Sequence, residues 1–526
     1  AEQDPVALIL YNDSLNPTHA SDTLYVWNAY YDNYIYDSNG NTIDSTSVIP
    51  DNILYLEQME YYDVFEVVER YELGRFITPY GNGLDLGSGW TWIYDVSDYR
   101  TLLHDTVHLS AGNWQEYLDL EFIMIEGIPP RDVISVENLW KGNFYLNTID
   151  STVADWRVFL NPSASMFRLK TRASGHHFDN ATNCAEFCYK IHNVDVEDSL
   201  IYSWEIMQQC GMNPLYPQGG TWVYDRAGWC PGMKVTTQNV ELTPYVTPGD
   251  SVDIDYDSQT DPYGYYILRT HLVSYGSPNF SLDAAVSEII SPNNWEIQNR
   301  FNPICDNPVI IIQNTGSSAL TTLDIEFGVK GGVKQTYQWT GNLAFLDTEQ
   351  VTLEASDNCW YLDGSSESNV FEVRVLNPNG GQDEYSANNT AKSTFDIPPQ
   401  HENHIYLLLR TNLFPNETSY QLVDETGAIV YQSGVLTANT IYRDTFDLAP
   451  GCYRLYIDDS DCDGLSWWAN GDGNGYASLY KADGSNTLLS SFEADFGCQI
   501  AYSFSVGLPV FTVSTTNANC GIQNGS

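Results

Sequence analysis

Cys184 and Cys188 stand four residues apart in NCAEFCYKIH (183–192), with Glu186 midway between them. A carboxylate can act as a general base or as a hydrogen-bond acceptor that orients a reactant. Fencing it between two thiols raises the question of what the fence adds. Along a strand the two cysteines lie about 13 Å apart, too far for a disulfide. In a helical turn they come to about 6 Å, within reach. If they bond, Glu186 sits at the apex of a cross-linked turn. Two readings stay open here: a structural clip whose glutamate is incidental, and a carboxylate held still for chemistry.

Two further groups are candidate metal ligands. DSDCDG (459–464) imitates the start of a calcium loop, with Asp459, Asp461 and Asp463 at alternate positions. The twelfth position is Asn470 rather than glutamate, so a helical calcium hand is excluded. A structural calcium site on a β loop and a solvated turn remain. His176 and His177 are adjacent, and His104 and His108 are four apart. No His-x-His occurs, so a copper centre is not expected, and no cofactor is expected for catalysis.

The elements that must position these residues are strands. DVFEVVERYELGRFI (63–77), YLDLEFIMIEG (117–127) and YRLYIDD (453–459) alternate or cluster β-branched and aromatic residues. Turn signals such as SNGN (38–41) and NPNGG (377–381) separate such segments. LIYSWEIMQQC (200–210) is the best short helical pattern. Breaks fall at GIPPRDV (127–133), ISPNNWEIQNRFNP (290–303) and DIPPQHENH (396–404). An all-β chain of several sandwiches is expected.

Totals set the outer bounds. The chain has 526 residues, 43% of them hydrophobic, enough for several packed cores. No apolar run reaches the roughly 18 residues a membrane helix needs. The net charge of −47 repels nucleic acid and anionic lipid, so neither is an expected partner. The amino terminus, AEQDP, carries no leader pattern, so any signal peptide is expected to be gone already. Ten cysteines, widely spread and without a repeated CxxC, fit disulfides in an oxidising, extracellular setting better than structural zinc.

Longer strings carry a resemblance. SGHHFDNATNCAEFC (174–188), NPLYPQGGTWVYDRAGWCPG (213–232) and YELGRFITPYG (71–81) together resemble the peptide-N-glycosidase F family over about residues 23–287. That family removes N-glycans from asparagine by amide hydrolysis. The resemblance implies two adjacent antiparallel eight-stranded jelly rolls, 1–145 and 146–290, with the active site at their interface. Residues 291–399 look like an adhesion-type immunoglobulin-like sandwich. Residues 400–512 look like a small β-sandwich attached to secreted enzymes of Bacteroidetes, and 513–526 like a tail or linker.

Carried over position by position, the resemblance makes Asp63 of MEYYDVF the principal catalytic aspartate, with Tyr62 beside it. Glu186 matches the glutamate of the family's cysteine-bracketed motif. Arg226 and Trp229 match the arginine and tryptophan of DRAGWCPG. Trp114 is present, but Gly112 stands where the family has a glutamate. Glu116 shares the strand face of 112 and 114 and is a candidate replacement, or an ordinary solvent-facing residue. His176 and His177 occupy a Trp-Gly-His segment without its tryptophan. For Arg226 the alternative is a buried structural ion pair, and for Trp229 a core position. The family pattern pairs Cys184 with Cys188 and Cys210 with Cys230. Cys305 and Cys359 fall in one expected sandwich and are expected to pair. Cys452, Cys462, Cys498 and Cys520 allow three connectivities. A secreted or cell-surface amidase acting on N-glycosylated proteins or peptides is therefore expected. The alternative is a catalytically silent glycan-binding or surface-structural protein of the same fold. The sequence sets no oligomeric state.

Overall fold

The computed structural model describes residues 6–10, 22–26, 31–48, 69–81, 89–112, 117–153, 155–180, 182–301, 304–355, 360–362 and 369–507. The chain divides into two compact units, Ala1–Tyr71 and Glu72–Ser526. The described part of the first unit holds two hairpins, Val6–Leu10 with Asp22–Val26 and Tyr31–Tyr36 with Thr42–Val48. The second hairpin turns at Asp37–Asn41, where the Asp37 carboxylate accepts from the backbone N–H of Asn39 and Asn41.

The second unit is nearly all β. Its first sandwich, which corresponds to the second of the four expected modules, pairs two four-stranded antiparallel sheets. One runs Ser199–Glu205, Ile191–Val196, Ser251–Ser258, Trp156–Phe159. The other runs Thr237–Glu241, Met166–His176, Tyr265–Pro278, Arg131–Tyr145, so the sandwich takes its edge strand from residues before the expected start at 146. Alternation builds the core: Val252, Ile254 and Tyr256 point inward from one strand, with acids at 253, 255 and 257 between them. Phe167, Leu169, Leu268 and Leu272 meet them from the opposite sheet.

The Met166–His176 strand is buried at nearly every position, because both of its faces are covered. One face meets the sandwich core. The other carries Lys170, Arg172 and Ser174, which meet Glu72, Leu73, Arg75 and Asp98. Arg172 donates to the carbonyls of Glu72 and Leu73 at 2.7 and 2.9 Å, and Lys170 pairs with Asp98 at 2.6 Å. A second short stretch of pairing joins Arg75–Ile77 to Gly232–Val235.

Two more sandwiches follow. The third packs Ala284–Ser291, Val309–Asn314 and Thr348–Thr352 against a sheet of Gln335–Leu343, Leu320–Val329, Val370–Leu376 and Thr390–Thr394. The fourth packs a five-stranded sheet centred on Gly451–Asp459 against a four-stranded sheet centred on His404–Arg410 and Tyr476–Lys481.

Two expectations are corrected here. LIYSWEIMQQC is not helical: Ser199–Glu205 is an edge strand paired to Ile191–Val196. Its Ile201, Tyr202 and Trp204 suit a pleated surface, and pairing with the sheet overrides a short local period. Cys305 bonds Cys452 rather than Cys359, which lies outside the described residues. The bridge spans 147 residues, and both sulfurs sit within the core of the third sandwich. Cys462 bonds Cys498, which resolves that part of the connectivity within the fourth sandwich.

Candidate active site

The 184–188 segment is the turn that its spacing allows. Cys184 and Cys188 are bonded, with Cα atoms 5.7 Å apart. The backbone is tied on both sides of Glu186: Ala185 N–H donates to His177 O at 3.0 Å, and Ala227 N–H donates to Glu186 O at 2.8 Å. Two glycines let the turn seat this deeply. A Cβ at Gly175 would meet Ala185 O at 2.0 Å, and one at Gly264, where φ is +96°, would meet Ala185 N at 2.5 Å.

Glu186 is thereby presented with its side chain 16% exposed. Its Oε1 lies 3.4 Å from Arg226 Nε, an ion pair looser than a hydrogen bond, and its Oε2 accepts from His177 N–H at 3.3 Å. Arg226 is fully enclosed. Its Nη1 donates to Tyr224 O at 2.6 Å, and its Nη2 donates to Thr221 O and Oγ1 at 2.8 and 3.0 Å. The guanidinium also lies over the rings of Tyr80, Phe187 and Trp229 at 5.1, 4.9 and 4.9 Å. Burial draws Arg226 below its ordinary value, and Tyr80 and Glu186 oppose that shift. Burial raises the Tyr80 phenol, and Arg226 pulls it back.

Trp229 is 3% exposed and donates its indole N–H to Gly175 O at 2.8 Å. The expectation of a substrate platform is corrected: the ring is a wall behind the site. Arg226 likewise touches Glu186 rather than open space, so it positions the carboxylate. His177 is exposed, with φ 71°. His176 is half-buried, stacked 5.7 Å from Trp229 and 5.5 Å from Tyr265.

The His176 ring joins a chain of polar contacts. Arg75 Nη1 donates to Ser174 Oγ at 2.8 Å, and Ser174 Oγ is hydrogen-bonded to His176 Nε2, 2.9 Å away. Burial, with Arg75 and His177 nearby, lowers the His176 pKa to about 4. Arg75, Ser174, Tyr80, Phe187 and Thr221 were not singled out from sequence. Arg75 and Tyr80 lie inside GRFITPY, a string whose strangeness was visible but whose contacts were not.

The 216–224 loop that holds Arg226 is braced by the fourth sandwich. Trp467 and Trp468 both donate their indole N–H to Gly220 O, at 3.3 and 2.9 Å. Trp467 packs with Trp222 and Val223 and lies 5.2 Å from Tyr224. Cys498 N–H donates to Gly211 O at 3.0 Å, and Cys210–Cys230 closes the base of the loop.

Tyr62, Asp63, Trp114 and Glu116 lie outside the described residues. Gly112 is described, with φ +118° and open space where a Cβ would be. The calcium expectation is shifted in its residues. Asp461 is exposed, and the carboxylates that converge are those of Glu417, Asp463 and Asp472.

Residues 145–273 match the family model described as peptide-N-glycosidase F, C terminal. The curated peptide-N(4)-(N-acetyl-β-D-glucosaminyl)asparagine amidase F of Elizabethkingia miricola is 28% identical over 214 residues, covering 36% of this chain and 59% of that protein. The solved structure of PNGase F, a glycosylasparaginase from Flavobacterium meningosepticum, is 21% identical with a TM-score of 0.26 and covers 27% of this chain and 51% of that one. A structure of PNGF-II is 13% identical with a TM-score of 0.23, covering 27% and 30% of the two chains. The chain thus spans less than two thirds of the length of each of these relatives.

Proposed function

We propose, for a chain that belongs to the peptide-N-glycosidase F family through its residues 145–273, that it hydrolyses the amide joining N-glycans to asparagine. The proposed substrates are glycoproteins or glycopeptides, met outside the cell, where the four disulfides among the described residues are stable. The observation that carries this reading is Glu186, a part-exposed carboxylate on a cross-linked turn with a buried guanidinium behind it.

In the proposed reaction Asp63 is the general base, a role the family resemblance implies. Water gives a proton to Asp63, and its oxygen attacks the side-chain amide carbon. The C–N bond breaks, the leaving nitrogen takes up a proton, and aspartate and a glycosylamine result. Glu186 accepts a hydrogen bond from the sugar or the attacking water and sets its direction of approach. The disulfide and the flanking backbone bonds fix that direction before substrate arrives. Arg226 orients Glu186 without touching substrate. Tyr62, Trp114, Glu116, His176 and His177 are assigned to the walls of the glycan cleft.

A second reading, glycan binding without hydrolysis, is favoured by Gly112, which supplies no carboxylate at a position where the resemblance implies one. Incubation with a denatured N-glycoprotein separates the two. Released glycan supports the amidase, and retention of intact glycoprotein without release supports the second reading.

A further inference from the structure

The fourth sandwich holds a carboxylate cluster that the amidase chemistry does not use. Glu417 stands just before the Thr418–Asp424 strand, and Asp463 and Asp472 lie in the loop that follows Gly451–Asp459. One oxygen from each of Glu417, Asp463 and Asp472 lies within 4.8 Å of the other two. Calcium takes oxygen ligands at about 2.4 Å, so two ligands of one ion stand at most about 5 Å apart. The spacing therefore suits a single central ion.

Convergence alone would not make a site, since exposed acids often gather. The second observation is burial without partners. Asp463 is 9% exposed; its Oδ2 accepts from Asn470 Nδ2 at 2.6 Å, while its Oδ1 is enclosed with no hydrogen-bond partner among the described residues. Glu417 Oε2 is enclosed and unpartnered in the same way. Asp459 is 2% exposed behind them, with Oδ1 accepting from Asp463 N–H at 3.2 Å and Oδ2 unpartnered. None of these acids forms an ion pair with a described Lys, Arg or His. Enclosed, unpaired carboxylate oxygens are costly, and a cation offsets that cost.

We propose that Glu417, Asp463 and Asp472 bind one Ca2+ ion, which fixes the 459–472 loop and with it the Trp467 contact on the 216–224 loop. Hard carboxylate oxygens and a flexible loop suit calcium better than magnesium, which demands near-ideal octahedral geometry. Trp467 follows Asp463 by four residues, and its indole N–H reaches Gly220 O. An ion in the cluster thus acts on the loop whose Thr221 and Tyr224 carbonyls hold Arg226.

The test uses the full chain stripped with EDTA. Titration with calcium chloride should show one saturable site per chain, and calcium should raise the melting midpoint by about 2–4 °C. Magnesium chloride at the same concentration should do neither. Glu417→Gln and Asp472→Asn should each weaken calcium binding by at least about 10-fold. Their metal-free forms should melt no lower than the metal-free parent, because a like charge has gone, which separates loss of binding from loss of folding. Calcium should also change tryptophan emission in the parent, and Trp467→Phe should reduce that change. No saturable heat in the parent, an equal response to magnesium, or undiminished binding in Glu417→Gln overturns the site. An emission change unaffected by Trp467→Phe overturns the link to the 216–224 loop.

Discussion

Glu186 and Glu417 are both carboxylates held on β-sandwich loops, yet their surroundings differ in sign. Glu186 has a guanidinium beside it and a backbone N–H on its other oxygen. Burial, joined by the charges of Asp461, Asp463 and Asp472, pushes the Glu417 pKa up to about 7. The first site is balanced by residues of the chain itself, so its carboxylate is free to act on a substrate. The second is unbalanced, so it calls for an ion. A carboxylate's partners, more than its burial, separate a site for chemistry from a site for a cation.

The comparison can be broken or sharpened in order of effect. Asp63→Asn should lower the glycan-release rate by about 10²–10⁴, the usual cost of removing a general base. Glu186→Gln should also lower it, read as kcat/KM on a glycopeptide; an unchanged value would make the fenced glutamate a mere clip. Arg226→Met removes an enclosed counter-charge and should cost about 3–5 kcal/mol in urea unfolding. Glu417→Gln, measured the same way without metal, should cost nothing or gain a few tenths of a kcal/mol, because it removes repulsion. Equal losses in these two variants would erase the proposed contrast. Trp467→Ala, which empties the brace between the two regions, should cost about 3 kcal/mol.

A further contrast is a difference in pH dependence. The His176 pKa of about 4 lies below its ordinary 6.5. The folded state therefore resists the proton. The stability this contributes is complete above pH 6.5 and is lost as pH falls from 6.5 toward 4. Between pH 7.5 and 4.5, His176→Gln should lose about 1–2 kcal/mol less than the parent in chemical unfolding. Glu417 has the opposite sign: its raised value means that stability grows as pH falls through about 7 toward the ordinary carboxylate range. Bound calcium should suppress that gain.

Much of this was legible in the residues themselves. YRLYIDD (453–459) lies in the Gly451–Asp459 strand that its alternation predicts, whereas YLDLEFIMIEG (117–127), read the same way, forms no strand. The four-residue spacing of Cys184 and Cys188 admits a bond only through a tight turn, and the turn is there. What was not legible depends on partners distant in sequence. Cys305 meets Cys452 across two sandwiches, a pairing that no local spacing encodes. Trp229 reads the same whether it faces sugar or core, and only the Gly175 carbonyl distinguishes the two. DSDCDG contains Asp463, but the acids that converge with it are Glu417, from an earlier turn, and Asp472, while Asp461 faces solvent. The 200–210 pattern fits a helix locally and becomes a strand because Ile191–Val196 offers it a ladder.

The most direct test of the amidase claim is hydrolysis of an N-glycopeptide in water enriched in oxygen-18, followed by mass spectrometry of the peptide. The account predicts free glycan and an aspartate in place of the glycosylated asparagine, carrying one heavy oxygen from solvent, with much less of both from Glu186→Gln. Intact glycopeptide after prolonged incubation with the folded protein, or a peptide released with its asparagine unchanged, would contradict it.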